Sequence, residues 1–314
     1  MQKYSNFAIV ASFLGLWINS FFSNEFQLIV GFILILSFGI LHGANDLALI
    51  KNVNPNKKVQ NFYKILLYYV IIVITGATLF YIIPWLALTL FIIISGYHFG
   101  EQQWNEQLKT EAKCVKFAYE IVYGLIILFL IFTFHATEVQ KIILAITGIE
   151  VPNFAFLLIL KILLSLFTLL SIFFYFKIER FKNYFFKELF YLFVFSIIFK
   201  VSTLIWGFAL YFIFWHSIPS MMDQITFLFG NVNFNNFKLY FRSAFIYWIV
   251  SLLGIAILYF IFKDQKIFKI ALDEMPADVD AFKALKYDDR LTIDEKIIEQ
   301  IGVIGEKLDL SKFE

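Results

Sequence analysis

Residues 27–50 read QLIVGFILILSFGILHGANDLALI. From Leu28 to Leu41 the run carries no charge and a single hydroxyl, Ser37. The stretch is long enough to cross the hydrocarbon of a bilayer, which takes about 20 apolar residues as a helix. His42 and Asp46 interrupt it before it closes on Leu47 to Ile50. An ionisable pair is costly inside a membrane and marks a functional candidate.

The rest of the chain repeats this pattern. Apolar runs near the spanning length lie at about 7–22, 27–50, 62–82, 84–101, 115–134, 154–177, 185–199, 203–225 and 243–262. The expected fold is all-α: a polytopic transmembrane helical bundle of about eight to nine spans over residues 1–265. A polar, acidic, partly helical C-terminal tail is expected over 273–314. Composition agrees: 61% of the 314 residues are hydrophobic and mean hydropathy is +0.77. An ordinary soluble domain is roughly 45–50% apolar, and a surplus of this size needs lipid as its solvent. The first run reads as a helix that stays in the protein and not as a cleaved signal, since no small-x-small cleavage site follows it. Residues 138–149 read as a short interfacial helix. In the tail, Thr292 to Glu295 forms a capping box followed by isoleucines at helical spacing.

The charges assign sides. Lys51, Lys57, Lys58 and Lys64 follow the second run, Lys109, Lys113 and Lys116 the fourth, and Lys177, Arg180, Lys182 and Lys187 the sixth. The positive-inside rule then puts the N-terminus and the even-numbered exits in the cytoplasm of a multi-pass cell-membrane protein. Lys263, Lys266 and Lys269 break the alternation after the ninth run. Half of the 24 acids lie beyond Leu272, so the membrane part is basic. This is topology signal and not nucleic-acid binding. One cysteine, Cys114, excludes an intrachain disulfide and a cysteine-rich zinc site.

Four histidines carry the chemistry. His42 lies within LHGAND, His98 within YHFGEQQW and His216 within FWHSIPSMMDQ, on the second, fourth and eighth runs. These three runs enter from the outside, and each histidine falls in the inner half; His42 is ~12 Å from its inner end at 1.5 Å per residue. His135 falls at the opposite side. Each of the three has polar company on its own helical stripe: Asp46 at i+4 from His42, Glu101 and Gln102 at i+3 and i+4 from His98, Ser220 and Asp223 at i+4 and i+7 from His216. Asp46, Glu101, Ser220 and Asp223 are thus expected to support the imidazoles from behind, as carboxylates do for metal-bound histidines. Gly43 and Gly100 leave room beside two of them. A lone histidine in a membrane also serves as a helix-to-helix hydrogen-bonding residue. Three at one depth point instead to a shared metal site, and imidazole nitrogens leave iron, copper and zinc open. Phe99, Trp104, Trp206, Phe214 and Trp215 are expected to wall a substrate pocket. GxSxG, Walker A, GxGxxG and HExxH motifs are absent, and four histidines are too few for a di-iron desaturase.

These motifs resemble the Brp/Blh family of membrane β-carotene 15,15′-dioxygenases, in which HGAxD, HFG and HSxxH lie on separate transmembrane helices. His42-Gly43-Ala44-Asn45-Asp46 matches the first, His98-Phe99-Gly100 the second and His216-Ser217 the start of the third, in the same order over residues 30–260. The resemblance implies a non-haem Fe(II) centre with His42, His98 and His216 as metal ligands. It also implies cleavage of the central double bond of β-carotene by O2 to give retinal, and so a link to microbial rhodopsins. Ser220 stands where the family has its second HSxxH histidine. The family's further hydrophobic helix with a Pro-His pair has no counterpart after Leu272. The alternatives are a family member that binds carotenoid or retinal without turnover, or a haem-binding or proton-coupled membrane protein.

Overall fold

The computed structural model describes residues 2–45, 49, 60–110 and 112–262. Among these residues the secondary structure is helical, without strands. Helix α1 is Gln2–Asn19. Helix α2 begins as Asn24–Leu34, widens to a π-helical stretch over Ile35–Gly39 and finishes as Ile40–Ala44. Then come α3 (Gln60–Ile82), α4 (Pro84–Trp104), α5 (Lys113–Phe134), α6 (Ala136–Thr147), α7 (Asn153–Lys177) and α8 (Glu179–Val201). Helix α9 runs Leu204–Tyr211, is π-helical over Phe212–Ser217, and continues as Ile218–Phe229. Helix α10 is Phe234–Phe262.

A helix stands at each of the nine apolar runs. By length and composition, five segments qualify as membrane-crossing: Asn24–Gly43, Lys113–Phe134, Asn153–Lys177, Leu204–Phe229 and Phe234–Ile257. The expected count of eight to nine is not confirmed: five such segments are found among the described residues. Of the other four helices at these runs, α1, α4 and α8 carry polar and charged residues within their own length, among them Lys3, His98, Glu101, Lys182 and Glu188, and α3 contributes the shorter apolar stretch Val70–Ile82. The outward faces are apolar, with Phe176 80% and Phe154 69% exposed, a surface that only lipid or another apolar partner covers well. The interfacial helix expected at 138–149 is α6, and Gly148 closes it with φ of 70°, a left-handed cap that glycine adopts without Cβ strain. The capping box and isoleucine pattern of 273–314 lie outside the described residues.

The core sits between α4, α5, α7, α8 and α9, where Trp104, Tyr119, Tyr123, Phe174, Phe181 and Phe199 are all buried. Its tightest seam is α4 on α5. Gly96 and Gly100, spaced as small-xxx-small, face Gly124: a Cβ on Gly100 would overlap the carbonyl oxygen of Glu120, and one on Gly124 the carbonyl of Gly96. Small residues at this spacing let two backbones touch, and van der Waals contact then holds the pair in lipid. A second, smaller cluster of Leu41, Met221, Ile225, Tyr240 and Ala244 ties the end of α2 to α9 and α10.

Candidate metal centre and apolar cavity

The α4–α5 seam fixes where His98 goes. His98 is two residues from both Gly96 and Gly100, about 200° around the helix from either. With the glycine face pressed on α5, the imidazole is turned to the opposite side. There it meets His42 from α2 and His216 from the π-helical part of α9. One nitrogen from each ring lies within 4.8 Å of the others. Ring centroids are 4.9 Å apart for His98 and His216 and 5.1 Å for His42 and His216. His216 is the anchor, 1% exposed, whereas His42 is half-buried and His98 is open to the space beside it. His135 is outside the group: its Nε2 sits 2.8 Å from the Phe199 carbonyl oxygen, and Glu138 is 3.8 Å from its Nδ1.

Gln102 governs His216. Its Nε2 donates to the His216 carbonyl at 3.0 Å, and its Oε1 pairs with His216 Nδ1. An amide that gives its NH2 to the carbonyl presents its oxygen to the ring, so Nδ1 carries the proton and Nε2 keeps a free lone pair. On the other flank Phe212 stacks on His216 at 5.2 Å and Phe99 meets it edge-on at 4.8 Å. At His42, Nδ1 is buried without a hydrogen bond of good geometry; the carbonyls of Phe38 and Gly39, one turn back, are its neighbours.

The three imidazoles line a cavity of about 500 Å³, within the usual range for small-molecule sites. Leu88, Phe91, Ile92 and Ser95 come from α4, Phe208 and Phe212 from α9, and Val139, Ile142 and Ile143 from α6. Apart from the histidines, Ser95 is the one polar residue among the described lining. Phe91 and Ile142 are 59% and 39% exposed, so the cavity reaches the apolar outer surface between α4 and α6.

Of the five residues expected to wall the pocket, Phe99 does so and four do not. Trp104 is fully buried in the core, with Tyr119, Phe181 and Tyr123 at 5.0, 5.2 and 5.5 Å. Trp206 is buried in the same core. Phe214 turns to Phe7 of α1. Trp215 packs on Phe195 and Tyr191 and donates its Nε1 hydrogen to Ser12 Oγ at 3.1 Å. Phe214 and Trp215 neighbour His216 in sequence, and neighbours on a helix face different ways. The wall is built instead from residues one, two and three turns away: Phe212 and Phe208 before His216, Ser95, Ile92, Phe91 and Leu88 before His98.

The expected supporting residues also redistribute. Gln102, not Glu101, reaches the cluster. Glu101 accepts from Tyr97 Oη at 2.8 Å and faces a different, polar cleft. Ser220 is half-buried, Asp223 is exposed, and neither lines the cavity. The wider π-helical turn through Ser217 slips the stripe that straight α-helical counting had placed under His216. Asp46 lies outside the described residues. Gly43 has open space around it, and Gly100 serves the helix seam and not a ligand.

Comparison with curated proteins and with solved structures returned no match. Residues 33–274 match the family described as Beta-carotene 15,15'-dioxygenase. That span holds all three clustered histidines and every cavity-lining helix, and the chain therefore belongs to the beta-carotene 15,15'-dioxygenase family.

Proposed function

We propose that this chain cleaves the central double bond of β-carotene with O2, giving two molecules of retinal, at a non-haem Fe(II) centre held by His42, His98 and His216. The observation that carries the reading is three imidazoles, with donor atoms within 4.8 Å, opening onto an apolar cavity that reaches the lipid-facing surface. The donor set suits iron: imidazoles hold first-row metals and leave oxygen-loving Mg²⁺ and Ca²⁺ unserved. The His42 Nδ1 set beside the Phe38 and Gly39 carbonyls, which leaves Nε2 for a ligand, and a lone pair fixed by Gln102 at His216 are what a site made for a cation presents. When bound, the iron supplies activation of O2.

The protein's own contribution is binding, orientation and dryness. The substrate is a hydrocarbon dissolved in the bilayer, and a mouth between Phe91 and Ile142 admits it sideways without an aqueous path. Phe99, Phe208 and Phe212 grip a flat polyene and exclude water beside the histidines. The reaction balances with these partners alone: one C=C bond breaks, and each carbon takes one of the two oxygen atoms. The product suits a retinal-binding rhodopsin in the same cell membrane, and the lysine alternation supports an N-terminus in the cytoplasm.

Coexpression with a β-carotene pathway tests the reading. The expected outcome is loss of orange colour, appearance of retinal, and iron in the purified protein. Unchanged pigment with good membrane expression of iron-loaded protein would overturn it.

A further inference from the structure

Leu88, Phe91, Ile92, Ser95, His98 and Phe99 form the stripe of α4 that faces the cavity, and Ser95 interrupts its apolar run. A hydroxyl inside a helix commonly turns back to the carbonyl four residues before it. Thr89 on the same helix does so at 2.8 Å, as do Ser165 on α7 and Ser196 on α8, both at 2.9 Å. Among the described residues Ser95 Oγ makes no such bond and has no other hydrogen-bond partner. The residue is half-buried and lines the cavity, so its hydroxyl is available there. A serine kept only for room would gain nothing over alanine, the better helix former. Its place is also specific. It stands three residues from His98, ~4.5 Å along the axis at 1.5 Å per residue, and one turn from Phe91 at the mouth.

We propose that the Ser95 hydroxyl donates a hydrogen bond to the aldehyde oxygen of retinal and holds the product half that lies along α4. The proposal rests on the dioxygenase reading and deepens it. β-Carotene is a hydrocarbon and offers Ser95 no acceptor. Cleavage leaves one oxygen on each central carbon, beside the histidines, and so creates an acceptor within a turn of Ser95. A hydroxyl on the ring of an oxygenated carotenoid would lie at the far end of the cavity instead, toward Leu88, ~15 Å along the helix from His98. A water molecule fits less well, since it needs about two to four polar partners and the described wall offers only Ser95 and the imidazoles. Ser95 thus distinguishes product from substrate by the oxygen that the reaction adds.

The test uses the full chain in nanodiscs, titrated with all-trans-retinal and, separately, with its hydrocarbon counterpart in which a methyl group replaces the aldehyde. Ser95→Ala should weaken retinal binding about fivefold, the worth of one neutral hydrogen bond, with no matching loss for the hydrocarbon. Ser95→Thr, which keeps the hydroxyl, should restore retinal binding. By resonance Raman, the C=O stretch of bound retinal should lie below its value in alkane and return to that value in Ser95→Ala. A parent protein that does not hold retinal, an equal loss of both ligands in Ser95→Ala, or a C=O stretch that the substitution does not move would overturn the inference. Binding is read without turnover, so the two readings fail separately. A Ser95-dependent C=O stretch beside uncleaved β-carotene would support the hydrogen bond and overturn the dioxygenase reading.

Discussion

Gly96 and Gly100 press α4 onto α5 until the backbones touch, whereas His98, between them, looks into an open cavity. The same five residues thus hold the tightest contact and border the cavity that the histidines line. On the other wall, α2 and α9 meet through their π-helical stretches, where Gly39 accepts the ring of Phe212. The contrast shows how a bundle in lipid can keep a hole. Hydrophobic burial gives little drive between helices there, so close packing at one seam must hold apart the walls of the next.

The largest effect should come from the cavity side. His42→Ala, His98→Ala and His216→Ala should each bring bound iron and retinal production to background, by metal analysis of purified protein. His135→Ala loses the contacts with Phe199 and Glu138 and should leave iron content as in the parent. Equal damage from His135→Ala would break the distinction between clustered and structural histidines. Next comes the seam. Gly100→Leu drives a side chain into the Glu120 backbone and should cost about 3 kcal/mol in thermal unfolding, in line with overpacked cores. A variant that melts like the parent would show that the seam can part.

Gln102→Ala sharpens the comparison from behind the histidine cluster. It frees His216 to rotate or change tautomer, and iron affinity should fall roughly 10–100-fold, as for other residues that orient a ligand. Folding should survive. The smallest effect belongs to the exposed turn. Hydrogen bonding to Lys109, at 3.1 Å, holds the Glu106 carboxyl below its ordinary value. A lowered carboxyl adds stability above its unfolded value and loses it as pH falls through the folded one. Because the pair is exposed and screened by water, Glu106→Gln should leave the melting curve at neutral pH where it was.

Much of this was legible in the chain itself. The apolar runs mark each helix, because length and polarity decide what can lie in lipid. The three histidines declare themselves by their cost in such runs. The clamp by Gln102 was half legible, since i+4 from His98 was visible but its reach to another helix was not. The wall of Phe208 and Phe212 could have been read by stepping back in whole turns from His216. Trp215 misled because nearness in sequence is not nearness on a helix. Ser220 and Asp223, counted by straight α-helical spacing from His216, stand beyond a π-helical stretch that no residue pattern announces.

Each π-helical stretch is a phase slip, an added residue that the helix absorbs without breaking. Removing one residue between Phe212 and Ser217 would reset Ile218–Phe229 by about 100° and 1.5 Å. Met221 and Ile225 would swing away from Tyr240 and Ala244, while Leu204–Tyr211 stayed in place. A length change invisible to composition would therefore part the end of α9 from α10, while α10 kept its hydrogen bonds to Ser37 on α2 and Asn45 at its end, and comparison of two such chains must place its gaps there before equating any residue downstream.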